Sequence, residues 1–137
     1  MRLPELEGLS FREIIKGAAD YHEHRSGGSV EVAGAPPYFI PSVPMGVAIY
    51  RVVTEALNNA TLHAGPCRMA IDSESRNGEV RVQVTDSGSG FTPGQVPEGL
   101  GIRGMQERIK LLGGTLEIRS SPALGTTVDF RLPMRAL

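Results

Sequence analysis

Cysteine is almost missing from this sequence of 137 residues. Cys67 stands alone, so no intrachain disulfide can form, and the chain suits a reducing compartment. Long apolar runs are missing as well. None approaches the ~20 residues of a membrane-spanning helix, and no basic-then-apolar leader opens the sequence. A cytoplasmic segment is therefore expected, with any membrane anchor of a parent protein outside it. Neither sign of charge dominates: 14 Lys and Arg against 15 Asp and Glu give a formal net charge of −1. That leaves no polyanion-binding field, and nucleic acid is not an expected partner. No Gly-x-x-x-x-Gly-Lys-Ser/Thr run occurs, so a nucleotide would have to bind without a P-loop. Zinc is not expected either, because no cysteine or second histidine pair completes a site around His22 and His24, which read as surface residues.

What is present is an ordinary soluble composition, 40% hydrophobic and 21% charged, at a length that supports one core. A single domain over residues 1–137 is expected, with residues 1–9 as a lead-in from an upstream domain. Ser10 and Glu13 have the spacing of a capping box, with Leu9 and Ile14 placed as a hydrophobic staple. Phe11, Ile14, Ile15 and Ala18 then follow the spacing of a buried helical face, which fades near Arg25–Gly28. A short strand holds Val30 and Val32. After a proline-rich crossing from Pro36 to Pro44, a second helix carries the apolar stripe Ile49, Val52, Val53, Ala56 and Ala60, ending at Gly65-Pro66. Cys67, Met69 and Ile71 alternate as a strand, Asn77-Gly78 marks a hairpin, and Val80, Val82 and Val84 form the return. Ile102, Met105, Ile109 and Leu112 make a third helix closed by Gly113-Gly114. Two final strands turn at Pro122–Gly125, with Leu116, Ile118, Val128, Phe130 and Leu132 inward. Hairpin-paired strands with helices between them predict a two-layer α/β sandwich, a mixed, mostly antiparallel sheet with helices on one face. The other face is polar, carrying Arg81, Gln83, Glu117, Arg119, Asp129 and Arg131.

Three segments carry candidate chemistry. Glu55, Asn59 and His63 lie at i, i+4 and i+8, one polar stripe along the second helix. Most such stripes are solvated faces. Against that stand Asn58 and Asn59 in mid-helix, where asparagine is a mediocre helix former. An acid, an amide and an imidazole in line also supply a base, an oxygen ligand for magnesium and a phosphate partner. Asp86-Ser87-Gly88-Ser89-Gly90 follows a strand directly. It reads either as a strand-exit turn or as a carboxylate facing a flat ligand that approaches the glycine backbone. An ionised Asp86 only accepts, so it would select a donor such as the adenine amine. Gly99-Leu100-Gly101-Ile102-Arg103-Gly104 spells the dinucleotide fingerprint, but a loop precedes it where that fingerprint needs a strand. The surviving reading is a glycine-exposed helix start whose free N–H groups can cradle phosphates. Thr126, after Gly125, is by itself an unremarkable strand residue.

Taken together, these segments resemble the GHKL ATPase superfamily (gyrase, Hsp90, histidine kinase, MutL). More narrowly, they are similar to catalytic domains of bacterial sensor histidine kinases that signal to helix-turn-helix response regulators. Ala48 to Ala60 with His63-Ala64 resembles the N box, and Asp86-x-Gly88-x-Gly90 the first glycine box. Gly99 to Met105, continuing through Glu107-Arg108 and Leu112-Gly113-Gly114, resembles the second, and Gly125-Thr126-Thr127-Val128 the closing strand. The motifs cover residues 46 to 133 in the family's order, and Arg2-Leu3-Pro4 through Arg12-Glu13 resembles the stretch that precedes the domain.

The resemblance implies a Bergerat-type ATP-binding fold, with ATP and Mg as ligands. It implies that Asn59 coordinates magnesium and that Glu55 orients or deprotonates the attacking group. Asp86 would bond the adenine amine with Thr126 completing the network, and Gly88 and Gly90 would let the base approach. Gly99, Leu100, Gly101 and Gly104 would hold the lid and the helix start against the phosphates. His63 would stand near the phosphates, and residues 91–98 would form a short lid. The family's phosphoacceptor histidine box is missing, since His22, His24 and His63 lack its acidic and basic neighbours. The γ-phosphoryl group is therefore expected to pass to a histidine on a separate dimerisation and phosphoacceptor domain, in cis in a parent protein, with a response regulator as an indirect partner. Two other functions fit the same motifs: a serine kinase of the anti-sigma type, and a nucleotide-responsive binding module without transfer.

Overall fold

The computed structural model describes residues 5–64, 68–88 and 101–134, and of residues 63 and 64 the backbone alone. Helix α1 (Phe11–Ser26) starts at the reciprocal capping box that the sequence predicts. Ser10 Oγ accepts from the Glu13 N–H at 3.2 Å, and Glu13 Oε1 accepts from the Ser10 N–H at 3.1 Å. These bonds satisfy two of the donors that a helix start leaves orphaned. Its buried face runs Phe11, Ile14, Ile15, Ala18, Ala19 and then His22. That last residue corrects the surface reading of His22. The helical period places it on the core face, where its ring is 6% exposed and bonds Thr61 Oγ1 at 2.8 Å. His24 is exposed as expected.

After the short strand β1 (Val30–Val32), helix α2 (Val43–Ala64) begins one residue before Pro44. Ser42 Oγ accepts from the Met45 N–H at 3.3 Å, so proline falls in the first turn, where its missing donor costs nothing. Strands β2 (Met69–Arg76) and β3 (Glu79–Asp86) form the hairpin read from Asn77-Gly78; both turn residues have positive φ, the geometry that matches strand twist. Helix α3 (Ile102–Lys110) stops before Leu112, which lies in the turn that follows. There the Gly114 N–H reaches back to the Ile109 carbonyl at 3.0 Å. Strands β4 (Thr115–Ser121) and β5 (Gly125–Pro133) complete a five-stranded sheet in the order β1-β2-β3-β5-β4. Only β1 with β2 is parallel; the other pairings are antiparallel.

One core joins the helices to one face of the sheet. Phe11, Ile49, Leu57, Val82 and Phe130 are each 0% exposed, and such a side chain contributes about 1.5–3 kcal/mol by leaving water. This is the expected two-layer α/β sandwich. On the far face an ion-pair lattice crosses four strands. Asp129 on β5 takes both Arg81 from β3 (Nη2 to Oδ2, 2.7 Å) and Arg119 from β4 (3.0 Å), while Arg81 also approaches Glu74 on β2 at 3.9 Å. The Arg81 hydrogen bond, helped by Arg119, holds the Asp129 carboxyl at about 2, against the desolvation that would raise it.

Candidate functional site

The described site residues fall into two groups. The first is built on the sheet. Asp86 ends β3, and the register sets it opposite Thr126 at the start of β5. Its side chain is largely buried, and Oδ1 accepts from the Gly88 N–H at 2.9 Å and from the Thr126 N–H at 3.3 Å. Among the described residues no hydrogen bond involves Oδ2, and that oxygen is not sealed from solvent. One oxygen is thus spent on fixing the strand ends, and the other is left to accept from outside. Thr126 Oγ1 in turn bonds Ser120 Oγ at 2.8 Å. Ser87 is a structural latch: its hydroxyl accepts from the Arg68 N–H at 2.9 Å, and its own N–H donates to the Arg68 carbonyl at 3.0 Å.

Gly125 is demanded by this arrangement twice over. Its φ is +86°, a region that L side chains avoid. A methyl group there would also collide with the Asp86 carbonyl oxygen. Neither Ser120 nor Gly125 was singled out by sequence reasoning as supporting Asp86. The Gly-Thr-Thr pattern marked the strand, but only the β3–β5 register reveals the contact.

The second group lies where α2 meets α3. Glu55, partly exposed, faces the start of α3, and a methyl group on Gly101 would sit 2.6 Å from Glu55 Oε1. Gly101 has φ +67° at the N-cap position and no side-chain cap. The carboxylate of Glu55 therefore rests beside the start of a helix, where the macrodipole favours negative charge. Asn59 follows one turn later on the same face of α2, and Gly104 lines the same cleft as Glu55. Arg51 and Arg108 line that cleft too; the sequence reading treated neither as part of the site. The side chain of His63, together with Gly90, Gly99, Leu100 and the lid at 91–98, lies outside the described residues. No described helix is long and apolar enough to cross a membrane.

Comparison with known proteins gives the same pattern a family. Residues 46–136 match the family described as histidine kinase-, DNA gyrase B-, and HSP90-like ATPase. The sensor histidine kinase MctS of Rhizobium johnstonii is 43% identical over 95 residues, covering 65% of this chain and 20% of that protein. The signal transduction histidine-protein kinase/phosphatase UhpB of Salmonella typhimurium is 38% identical over 89 residues, covering 65% of this chain and 17% of its own length. The chain thus spans about a fifth of the curated relatives it matches. Among solved structures, the blue-light activated histidine kinase of Erythrobacter litoralis superposes with a TM-score of 0.78 at 24% identity, over 92% of this chain and 42% of that one. The mycobacterial sensor histidine kinase MprB gives 0.75 at 21% identity, over 94% and 97%; these two likenesses carry the fold. With two-thirds of its length matched, the chain belongs to the histidine kinase-, DNA gyrase B-, and HSP90-like ATPase family.

Proposed function

We propose that this chain binds Mg-ATP and passes the γ-phosphoryl group to a histidine on a separate dimerisation and phosphoacceptor domain, in two-component signalling. The observation that carries the reading is the α2–α3 junction, where Glu55 rests against Gly101 with Asn59 one turn along the same face. It supplies a base, an oxygen ligand and free helix-start N–H groups within one short stretch. Asp86 Oδ2 accepts the adenine amine, while Oδ1 stays bound to Gly88 and Thr126 and fixes the carboxylate's plane.

Magnesium fits the donors present. The amide oxygen of Asn59 is a hard ligand, and a site with so few protein oxygens suits an ion that draws its other ligands from phosphates. When bound, magnesium neutralises phosphate charge as the phosphoryl group leaves. The acceptor imidazole attacks with a nitrogen lone pair. The new N–P bond forms as the bond to the ADP oxygen breaks, and Glu55 accepts the proton on the ring's other nitrogen as positive charge develops there. The N–H groups at the start of α3 meet the phosphate oxygens.

The test is radiolabelled ATP with this chain alone and with an added phosphoacceptor domain. Acid-labile, base-stable label on the added domain is expected, with none on the chain itself. Stable labelling of His22, His24 or His63 would overturn the reading, and label on serine of an added protein would point to a serine kinase of the anti-sigma type.

A further inference from the structure

The cleft between α2 and α3, about 220 Å³, is lined by Arg51, Glu55, Gly101, Gly104, Met105 and Arg108 among others. Arg51 lies one turn before Glu55, so α2 presents Arg51, Glu55 and Asn59 in a single line. On α3, Gly104 and Arg108 share a face at a spacing of four, behind Gly101 at the N-cap. That helix starts beside Glu55 and carries Arg108 back along the cleft that Arg51 lines. Arg51 and Arg108 thus line one cleft with Glu55.

Their electrostatics differ from those of the two ion-paired arginines of the sheet. Arg81 and Arg119 are held by Asp129. No carboxylate among the described residues lies within 4.0 Å of the Arg51 or Arg108 guanidinium. Among the described residues that line the cleft, Glu55 is the one carboxylate, against two guanidiniums.

We propose that Arg51 and Arg108 form a docking seat for a carboxylate on the segment that presents the phosphoacceptor histidine. The inference rests on the function proposed above. An acceptor that gives its proton to Glu55 must come to the cleft that Glu55 shares with both arginines. Guanidinium pairs with carboxylate in a planar fork, so the seat fixes orientation as well as attraction. The arginines are positioning residues that set how the acceptor segment is held.

The experiment supplies the phosphoacceptor domain as a separate fragment and measures transfer against its concentration at saturating ATP. With wild-type chain, the KM for the fragment should rise steeply with salt, as steering by exposed charge requires. In the double variant Arg51→Gln with Arg108→Gln, that KM should rise about tenfold, as expected for losing charge complementarity at an interface. The salt dependence should flatten, ATP affinity should stay within about twofold, and Arg51→Lys with Arg108→Lys should recover part of the loss. Changing the fragment's carboxylates near its histidine to amides should erase the difference between wild type and double variant. A wild-type KM indifferent to salt would overturn the seat even if the variants failed to fold. So would an unchanged KM in a variant that still binds ATP. Selective loss of ATP over ADP binding would instead assign the arginines to the γ-phosphate, overturning the seat. Absence of transfer by the wild-type chain would sink the proposed function itself, which needs no variant to detect.

Discussion

At the scale of single residues, Asp86 and Glu55 owe their proposed chemistry to what fixes them. Asp86 has one oxygen tied to two backbone N–H groups and one oxygen open. Asp86→Asn keeps the shape, but its amide can turn a donor toward either the strand ends or the adenine amine. The mismatch should cost about 1–3 kcal/mol of ATP affinity, read by calorimetry; equal affinities would remove Asp86 from the adenine site. Asn59→Ala should weaken nucleotide binding with magnesium more than without it, and equal losses would make Asn59 a structural residue. Glu55→Gln keeps geometry and loses the base. Nucleotide affinity should hold while transfer falls roughly 10²–10⁴-fold, the usual range for general-base loss; transfer at the wild-type rate would rule the role out.

At the scale of elements, helix and strand junctions hold the site, and these were legible in unequal measure. The capping box, the Asn77-Gly78 turn and the apolar stripes are local patterns, and each element formed close to where they place it. Register is not local. The pairing of Asp86 with Thr126, and the crowding of Gly125 against the Asp86 backbone, need two strands brought from 40 residues apart. The meeting of Arg51 and Arg108 is not local either, since only the packing of α3 on α2 puts them in one cleft. Gly125→Ala should therefore act on Asp86 at a distance along the chain. It must push the β3 end aside, so ATP affinity and thermal stability should both fall, by about 1–3 kcal/mol for strain of this kind. Wild-type affinity in that variant would show that Asp86 tolerates movement. The α1–α2 junction makes a second prediction. Burial, and then Arg25, lowers the His22 pKa below its usual 6.5, so the unfolded chain binds the proton more readily than the folded one. Stability should hold above pH 6.5 and fall as pH drops below it. His22→Gln should flatten this segment of the urea-midpoint profile, and an unaltered slope would mean that another group is responsible.

At the scale of the whole molecule, the sheet divides its labour between two faces. The helix-covered face supplies the core and carries the site, while the far face is stitched by Glu74, Arg81, Asp129 and Arg119 across β2, β3, β5 and β4. The sequence predicted that this face would be polar, but not that Asp129 would sit there only 6% exposed between two guanidiniums. In the folded chain its carboxyl is held down at about 2, below its ordinary 3.8. The depressed value means that the lattice contributes fully above pH 3.8 and is lost as pH falls toward 2. At about 1.4 kcal/mol per unit the shift corresponds to about 2 kcal/mol, reduced toward 1 because water reaches both arginines. Asp129→Asn should lower stability at neutral pH by that amount and remove the corresponding part of the acid slope between pH 3.8 and 2, measured by urea unfolding at a series of pH values. An unchanged slope would place the acid sensitivity elsewhere. Because the lattice faces away from the α2–α3 cleft and contacts neither Asp86 nor Glu55, the same variant should bind ATP with wild-type affinity wherever it remains folded. Loss of nucleotide affinity in a fully folded Asp129→Asn chain would mean that the two faces of the sheet are mechanically coupled, and that the site depends on strand spacing set from behind.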